Sequence, residues 1–196
     1  MSAALELVDE QGADALSMRS LAQRLGSGTA TLYRHFANRA ELVAMVVDTM
    51  LGEVTFDAST TWDDACTSFA QNMFEALGRH GNVARLLIGH VPLGPNAVQH
   101  RELLLAALLD NGFAPESAAR VYATLSRYIL GFAMQVAGSA TAEQHDAEVS
   151  AAFHRLDPAR YPATLTVADD LPVPLAAEFS FGLQLMMAGL TATRSP

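Results

Sequence analysis

Apolar residues in this 196-residue chain recur at intervals of three and four almost from end to end, and the interruptions fall at glycine or proline. That spacing is the signature of helices with one buried face. No run alternates long enough to build a sheet, so the pattern predicts an all-α protein. Leu5 and Val8 mark a first helix closed by Gly12. Ser17 is a helix N-cap for a second, in which Met18, Leu21, Ala22 and Leu25 share a face before Gly26 ends it. A short third helix is expected over Thr31–Phe36, and Asn38 with Glu41 opens a fourth in the manner of a capping box. Further helices are expected over Trp62–Leu77, Val83–His90, Val98–Leu109, Glu116–Val136, 142–156 and Leu175–Leu190, with the proline-rich 157–174 a partly ordered loop.

Charge then singles out one stretch. The chain carries a formal charge of −9, and all of its basic residues are arginine, yet no carboxylate falls between Asp14 and Glu41. Arg19, Arg24, Arg34 and Arg39 lie within that gap. Helix, glycine turn and short helix over residues 17–36 have the layout of a helix-turn-helix, with Leu21, Leu25, Leu32 and Phe36 turned inward. The outer face then presents Thr29, Thr31, Tyr33, Arg34 and His35, groups that hydrogen-bond phosphates and base edges. The N–H groups near Gly28 and Thr29 face the same way. A surface meeting a polyanion gains by excluding carboxylates, since each adds repulsion and forfeits counterion release. From spacing and charge alone, an ordinary hairpin with a solvated arginine face fits equally well.

The wording of the segment separates the two. Residues 4–51, with Gly12, Ser17-Met18-Arg19, Leu21-Ala22, Leu25-Gly26, Thr31 to Phe36, Asn38-Arg39 and Glu41-Leu42, resemble the DNA-binding domain of tetracycline-repressor (TetR) family regulators. The resemblance implies DNA contacts from Ser17, Arg19, Gly28, Thr29, Thr31, Tyr33, Arg34, His35 and Arg39. More weakly, residues 104–135 and 179–190 resemble the helices that dimerise the branch containing the tetracycline repressor itself. The expected organisation is thus a three-helix DNA-binding domain over 1–50 and a larger helical ligand-binding and dimerisation domain over 51–196. Leu175, Phe179, Leu183, Met186, Met187 and Leu190 leave the last helix too apolar for a lone surface helix, and place it at a homodimer interface.

The partners implied are double-stranded operator DNA, a second copy of the chain and a largely apolar small-molecule effector. Candidate effector contacts are Trp62, Phe69, Met73, Phe74, Leu87, His90, Tyr122, Leu125, Tyr128 and Met134, since a Met- and aromatic-rich helical bundle can host an apolar ligand. Where tetracycline-binding relatives place a magnesium-holding histidine and a nearby arginine, this chain has Ile88 and Pro92, so magnesium-tetracycline is not the expected effector. The scattered histidines offer no metal site, Cys66 reads as a buried inert thiol, and no catalytic or nucleotide-binding constellation appears. Neither a cofactor nor an enzymatic activity is expected. With one cysteine, no secretory leader and no uninterrupted apolar run of membrane-spanning length, the expected setting is the cytoplasm. Ser27, at a turn position usually apolar in the family, and a start without a basic lead-in support an alternative: a helical small-molecule-binding protein that has lost DNA binding.

Overall fold

The computed structural model describes residues 2–58, 60–88, 91–136 and 142–193, and among these every regular element is helical. In chain order they are α1 Ser2–Gln11, α2 Met18–Arg24, α3 Thr29–Leu32, α4 Arg39–Leu51, α5 Trp62–Arg79, α6 Gly81–Ala84, α7 Pro95–Asp110, α8 Pro115–Val136, α9 Ala142–His154, α10 Pro162–Thr166 and α11 Leu175–Thr193. Short 3₁₀ turns lie at Ala13–Ala15, Arg85–Leu87 and Ala168–Asp170. The chain forms two compact units, residues 1–137 and 138–196.

The first unit begins with a hairpin set by local chemistry. Ser17 Oγ accepts the N–H of Ser20 at 3.0 Å while Ser20 Oγ accepts that of Ser17 at 3.0 Å, a reciprocal box that starts α2. Gly26 ends it at φ +60°, where a side chain would be strained, and the following N–H of Ser27 returns to Ala22 O at 2.9 Å. Asn38 Oδ1 caps α4 through the N–H of Glu41 at 3.0 Å. Leu21, Leu32 and Phe36 are buried, as is most of the inner face of α1. α1 packs on α4 and α6, α4 on α7, and α5, α7 and α8 pack against one another as a three-helix bundle.

Several expectations are corrected. α3 begins at Thr29 rather than Thr31, because Gly28 is extended and acts as its N-cap; beyond Leu32 the chain continues as a tight turn whose N–H groups still bond back, Phe36 to Leu32 O at 2.9 Å. The helix expected over Val83–His90 is a single α turn and a 3₁₀ turn, stopped where Ile88 becomes extended. Leu25, expected inside the hairpin, is 50% exposed. It follows the last residue of α2 and lines a half-open cavity of about 380 Å³ with Leu21, Leu32, Phe36 and Met45, which the small Ala3 and Ala4 fail to fill.

In the second unit the expected loop 157–174 contains α10, started by Pro162 at its first turn, and a 3₁₀ turn whose Ala168 is buried. His154 Nε2 meets Asp169 Oδ1 at 2.9 Å and ties α9 to that turn. Within α11, Phe179 and Leu183 are buried, whereas Phe181 and Leu185 are 63% and 59% exposed. The window Leu175–Ala192 is long and apolar enough by length and composition to cross a membrane, with a mean hydropathy of 1.2.

Candidate nucleic-acid interface and effector bundle

The acid-free window divides into two kinds of arginine. Arg24 forms a fork with Glu10, at 2.7 and 2.8 Å, and reaches Glu6 at 3.1 Å. The hydrogen bonds that Arg24 donates to Glu10 and Glu6 raise its pKa above the ordinary value; those that Ser2 and Arg24 donate hold Glu6 low, and those that Arg24 donates hold Glu10 low. Its charge is therefore spent fastening α2 to α1. Arg39 donates from Nε to Leu16 O at 2.7 Å and from Nη2 to Ala13 O at 3.2 Å, so α4 grips the chain entering α2. Arg19 and Arg34 are different: both are exposed and, among the described residues, neither forms an ion pair.

Around Arg34 the expected contact residues come together. Gly28, Thr29, Tyr33 and His35 are exposed, Tyr33 at 58%, and Thr31 is half-buried. Leu32 and Phe36 turn inward between them, which sets the outward direction of the rest. Ser17 is half-buried, and its hydroxyl is engaged in the box that starts α2. The face is thus short, polar and cationic, and is held from beneath by apolar anchors.

α4 links this hairpin to the rest of the first unit through residues that the sequence pattern did not mark. Asp48 is 6% exposed, and its carboxylate accepts the N–H of Asn96 at 3.3 Å, the side-chain amide of Asn96 at 3.0 Å and the N–H of Ala97 at 3.0 Å. It caps α7 from another helix, where Gly94 and Pro95 supply no side-chain cap of their own. Nearby, His80 at the end of α5 meets Asp9 of α1 at 2.7 Å and Glu53, just past α4, at 3.0 Å. Burial opposes the imidazolium there, but the two carboxylates outweigh it and the His80 pKa is raised. An acid inside the apolar run VVDTML and a helix opened by Gly-Pro-Asn were the available signals for the Asp48 contact.

Of the effector candidates, Trp62, Phe69, Met73 and Leu125 are buried, and Phe74, Leu87, Tyr122, Tyr128 and Met134 are half-buried; His90 lies outside the described residues. Trp62 stands edge-on to Phe113 with centroids 5.0 Å apart, Phe69 edge-on to Phe56 at 5.2 Å, and Tyr128 beside Phe132 at 4.9 Å. Arg101 lies over the ring of Tyr122 at 5.6 Å. Of the aromatic candidates, Trp62 and Phe69 thus belong to the packed interior, and Phe74, Tyr122 and Tyr128 are only partly covered. Burial, followed by the charge of Asp63, pushes the Cys66 thiol up to about 12, so it is protonated at neutral pH. Among the described residues no three His, Cys, Asp or Glu side chains assemble to hold a metal.

Fold and site together define a helix-turn-helix DNA-binding protein with a helical companion domain. Residues 1–46 match the family described as bacterial regulatory proteins, tetR family, and residues 55–194 match the tetracyclin repressor-like C-terminal domain. The chain is 31% identical to an HTH-type transcriptional regulator of Saccharopolyspora erythraea, over 98% of this chain and 83% of the relative. It is 30% identical to the class E tetracycline repressor protein of Escherichia coli, over 98% and 89% of the two chains. The crystal structure of ActR from Streptomyces coelicolor in complex with actinorhodin superposes with a TM-score of 0.88 at 30% identity, covering 100% of this chain and 96% of that one. The chain belongs to the TetR family of transcriptional regulators. It is a ligand-responsive DNA-binding regulator, of a family that binds operator DNA, dimerises and takes small-molecule effectors.

Proposed function

We propose that this regulator acts in the cytoplasm as a homodimer, setting its two α3 helices in successive major grooves of a near-palindromic operator, about 34–36 Å apart. Residues 1–50 form the DNA-binding domain in this reading, and 51–196 the effector and dimer domain. Arg34, Tyr33, Thr29, Thr31 and His35 meet bases and phosphates; Arg19 and the N–H groups after Gly28 meet phosphate. Ser17 and Arg39 support this face through the start of α2, and their remaining hydrogen-bonding capacity lies beside the backbone of the DNA. The observation that carries the reading is the pairing of two uncompensated arginines with the absence of any carboxylate from Ala15 to Ala40, in a chain of net charge −9.

A largely apolar effector enters the α5–α8 bundle, whose lining is aromatic and aliphatic. It shifts the protein toward a state whose helix spacing no longer fits DNA, which requires that it bind the two states with different affinity. The capped junction of Asp48 with α7 is the mechanical link between bundle and hairpin. Dimerisation runs through α11, whose Phe181 and Leu185 stand exposed on one face, while Leu175, Met186, Met187 and Leu190 lie half-buried around Phe179 and Leu183 on the other; Phe179 and Leu183 serve the chain's own core.

The test is titration against DNA from upstream of the protein's own gene at several salt concentrations. Specific binding that weakens steeply with salt is expected. Absent or salt-insensitive binding to every fragment of the native genome overturns the reading.

A further inference from the structure

The cavity beside Leu25 lies within the DNA-binding hairpin, apart from the α5–α8 bundle, and side chains from α1, α2, α3 and α4 all wall it. Two small residues of α1, Ala3 and Ala4, leave the space open. Leu21, Leu32 and Phe36 are buried at its back, whereas Leu25 and Met45, 50% and 40% exposed, stand at its mouth. Walls on every side make it a pocket for a compact molecule; an extended strand or a helix needs an open groove. No charged side chain lines it, and His35 at its edge is the one polar side chain. An apolar cavity of about 150 Å³ holds benzene, and small-molecule pockets begin near 300 Å³. At about 380 Å³ this one has room for two fused rings. His35 is itself exposed on the face expected to meet DNA, and among the described residues its side chain forms no hydrogen bond.

We propose that this cavity is a second ligand site, inside the DNA-binding domain, for a neutral two-ring aromatic molecule whose single polar group turns to His35. The imidazole can donate to that group or accept from it. Occupancy acts on DNA binding at first hand, with no movement relayed from the bundle. Rings seated against Leu32 and Phe36 bear on the two anchors that aim α3 outward, and the polar group engages an imidazole that otherwise faces DNA. The molecule and DNA therefore compete. The competition rests on the reading of the hairpin as the DNA-binding face; the site itself rests on the cavity alone.

Indole, with two fused rings and one N–H, is the probe, and the full chain labelled with ¹³C at its methionine methyls is the reporter. The Met45 methyl, assigned by its loss in Met45→Leu, is expected to shift saturably as indole is added. Ala3→Leu fills the space from a half-buried position and should weaken that binding at least about tenfold. At ten times its Kd for the wild type, indole should also weaken binding of the upstream DNA fragment about tenfold, and leave that of Ala3→Leu unchanged. An unmoved Met45 resonance, or a shift that survives in Ala3→Leu, overturns the site. So does a Met45 shift that follows protein concentration instead of indole, which marks a contact between copies. Shifts confined to Met73 and Met134 place indole in the bundle and overturn it equally. DNA binding indifferent to saturating indole overturns the competition. If no native fragment binds, the DNA-binding reading fails, and the Met45 shift still decides the site. Should Ala3→Leu not fold, nuclear Overhauser contacts from indole to the methyls of Leu25 and Met45 in the wild type decide alone.

Discussion

Asp48 on α4 and Asn96 in the first turn of α7 are joined three times: the Asp48 carboxylate accepts the backbone N–H and the side-chain amide of Asn96, and that amide also donates to the Asp48 carbonyl at 2.9 Å. α7 thus begins on a carboxylate borrowed from the helix that carries the DNA-binding hairpin. Gly94 is part of the same joint, because a Cβ there would fall well inside van der Waals contact distance of Asp48 Cγ and Oδ1. Asp48→Ala leaves the N–H groups of Asn96 and Ala97 unsatisfied in a largely buried place and is expected to cost about 2–3 kcal/mol by urea unfolding. Gly94→Ala should cost about 2 kcal/mol alone and less in the Asp48→Ala background, where the carboxylate is gone and only Cβ of residue 48, 2.7 Å away, still obstructs. Additive costs in that double-mutant cycle would show that the two residues are not one joint.

This joint also marks where the sequence stopped being informative. Helix positions were readable because the apolar period and the punctuation by Gly12, Gly26, Ser17 and Asn38 are local, and each capped the end assigned to it. The arginine roles were not readable. Arg24 and Arg34 look alike in sequence, and only the packing of α1 beside α2 puts Glu6 and Glu10 against one and not the other. Leu25 keeps the helical period of α2 yet sits half in solvent, since what covers a residue depends on the facing helix, here the small Ala3 and Ala4. Asp48 and His100 read as one acid and one histidine in apolar runs; their partners lie 46 to 49 residues away in sequence.

The division of the arginines predicts a division of DNA-binding behaviour. Arg34→Ala should weaken operator binding by about 1–3 kcal/mol if the side chain reads a base, and each of Arg19→Ala and Arg34→Ala should flatten the plot of log affinity against log salt by about one unit. Arg24→Gln should change that slope by less than about half a unit, because its guanidinium is already neutralised within the protein. Fluorescence anisotropy of a labelled operator fragment across a salt series measures all three. A full unit lost in Arg24→Gln would mean that this arginine leaves its carboxylates to meet DNA.

His80 gives stability a pH dependence of definite sign. Its folded-state pKa is raised above 6.5 by Asp9 and Glu53 against the effect of burial, with Arg79 a further charge on Glu53 at 3.7 Å. A raised histidine pKa adds stability that is fully present below the unfolded value of 6.5 and is lost as pH rises through the folded value. Urea unfolding of the wild type and of His80→Gln from about pH 6 to about pH 9 isolates this contribution, since His100 and His154 titrate alike in both proteins. The gap between the two is expected to be largest at the acid end and to narrow with rising pH. A gap that widens toward alkaline pH contradicts an imidazolium at the α1–α4–α5 junction.

The two faces of α11 should respond to substitution in different ways. Phe179 and Leu183 are buried, whereas Phe181 and Leu185 stand one turn apart with more than half of each side chain's surface in solvent. Phe179→Ala removes a packed ring and is expected to cost about 3–5 kcal/mol of folding stability. Paired Phe181→Glu and Leu185→Glu add two charges to a surface already in water, so the protomer keeps its fold by circular dichroism. At a two-fold interface each charge would lie against its own copy or against apolar surface, and sedimentation should show at least about a hundredfold weaker dimerisation. A double glutamate variant that still sediments as the wild-type dimer moves the interface off this face of α11, whatever Phe179→Ala does to stability.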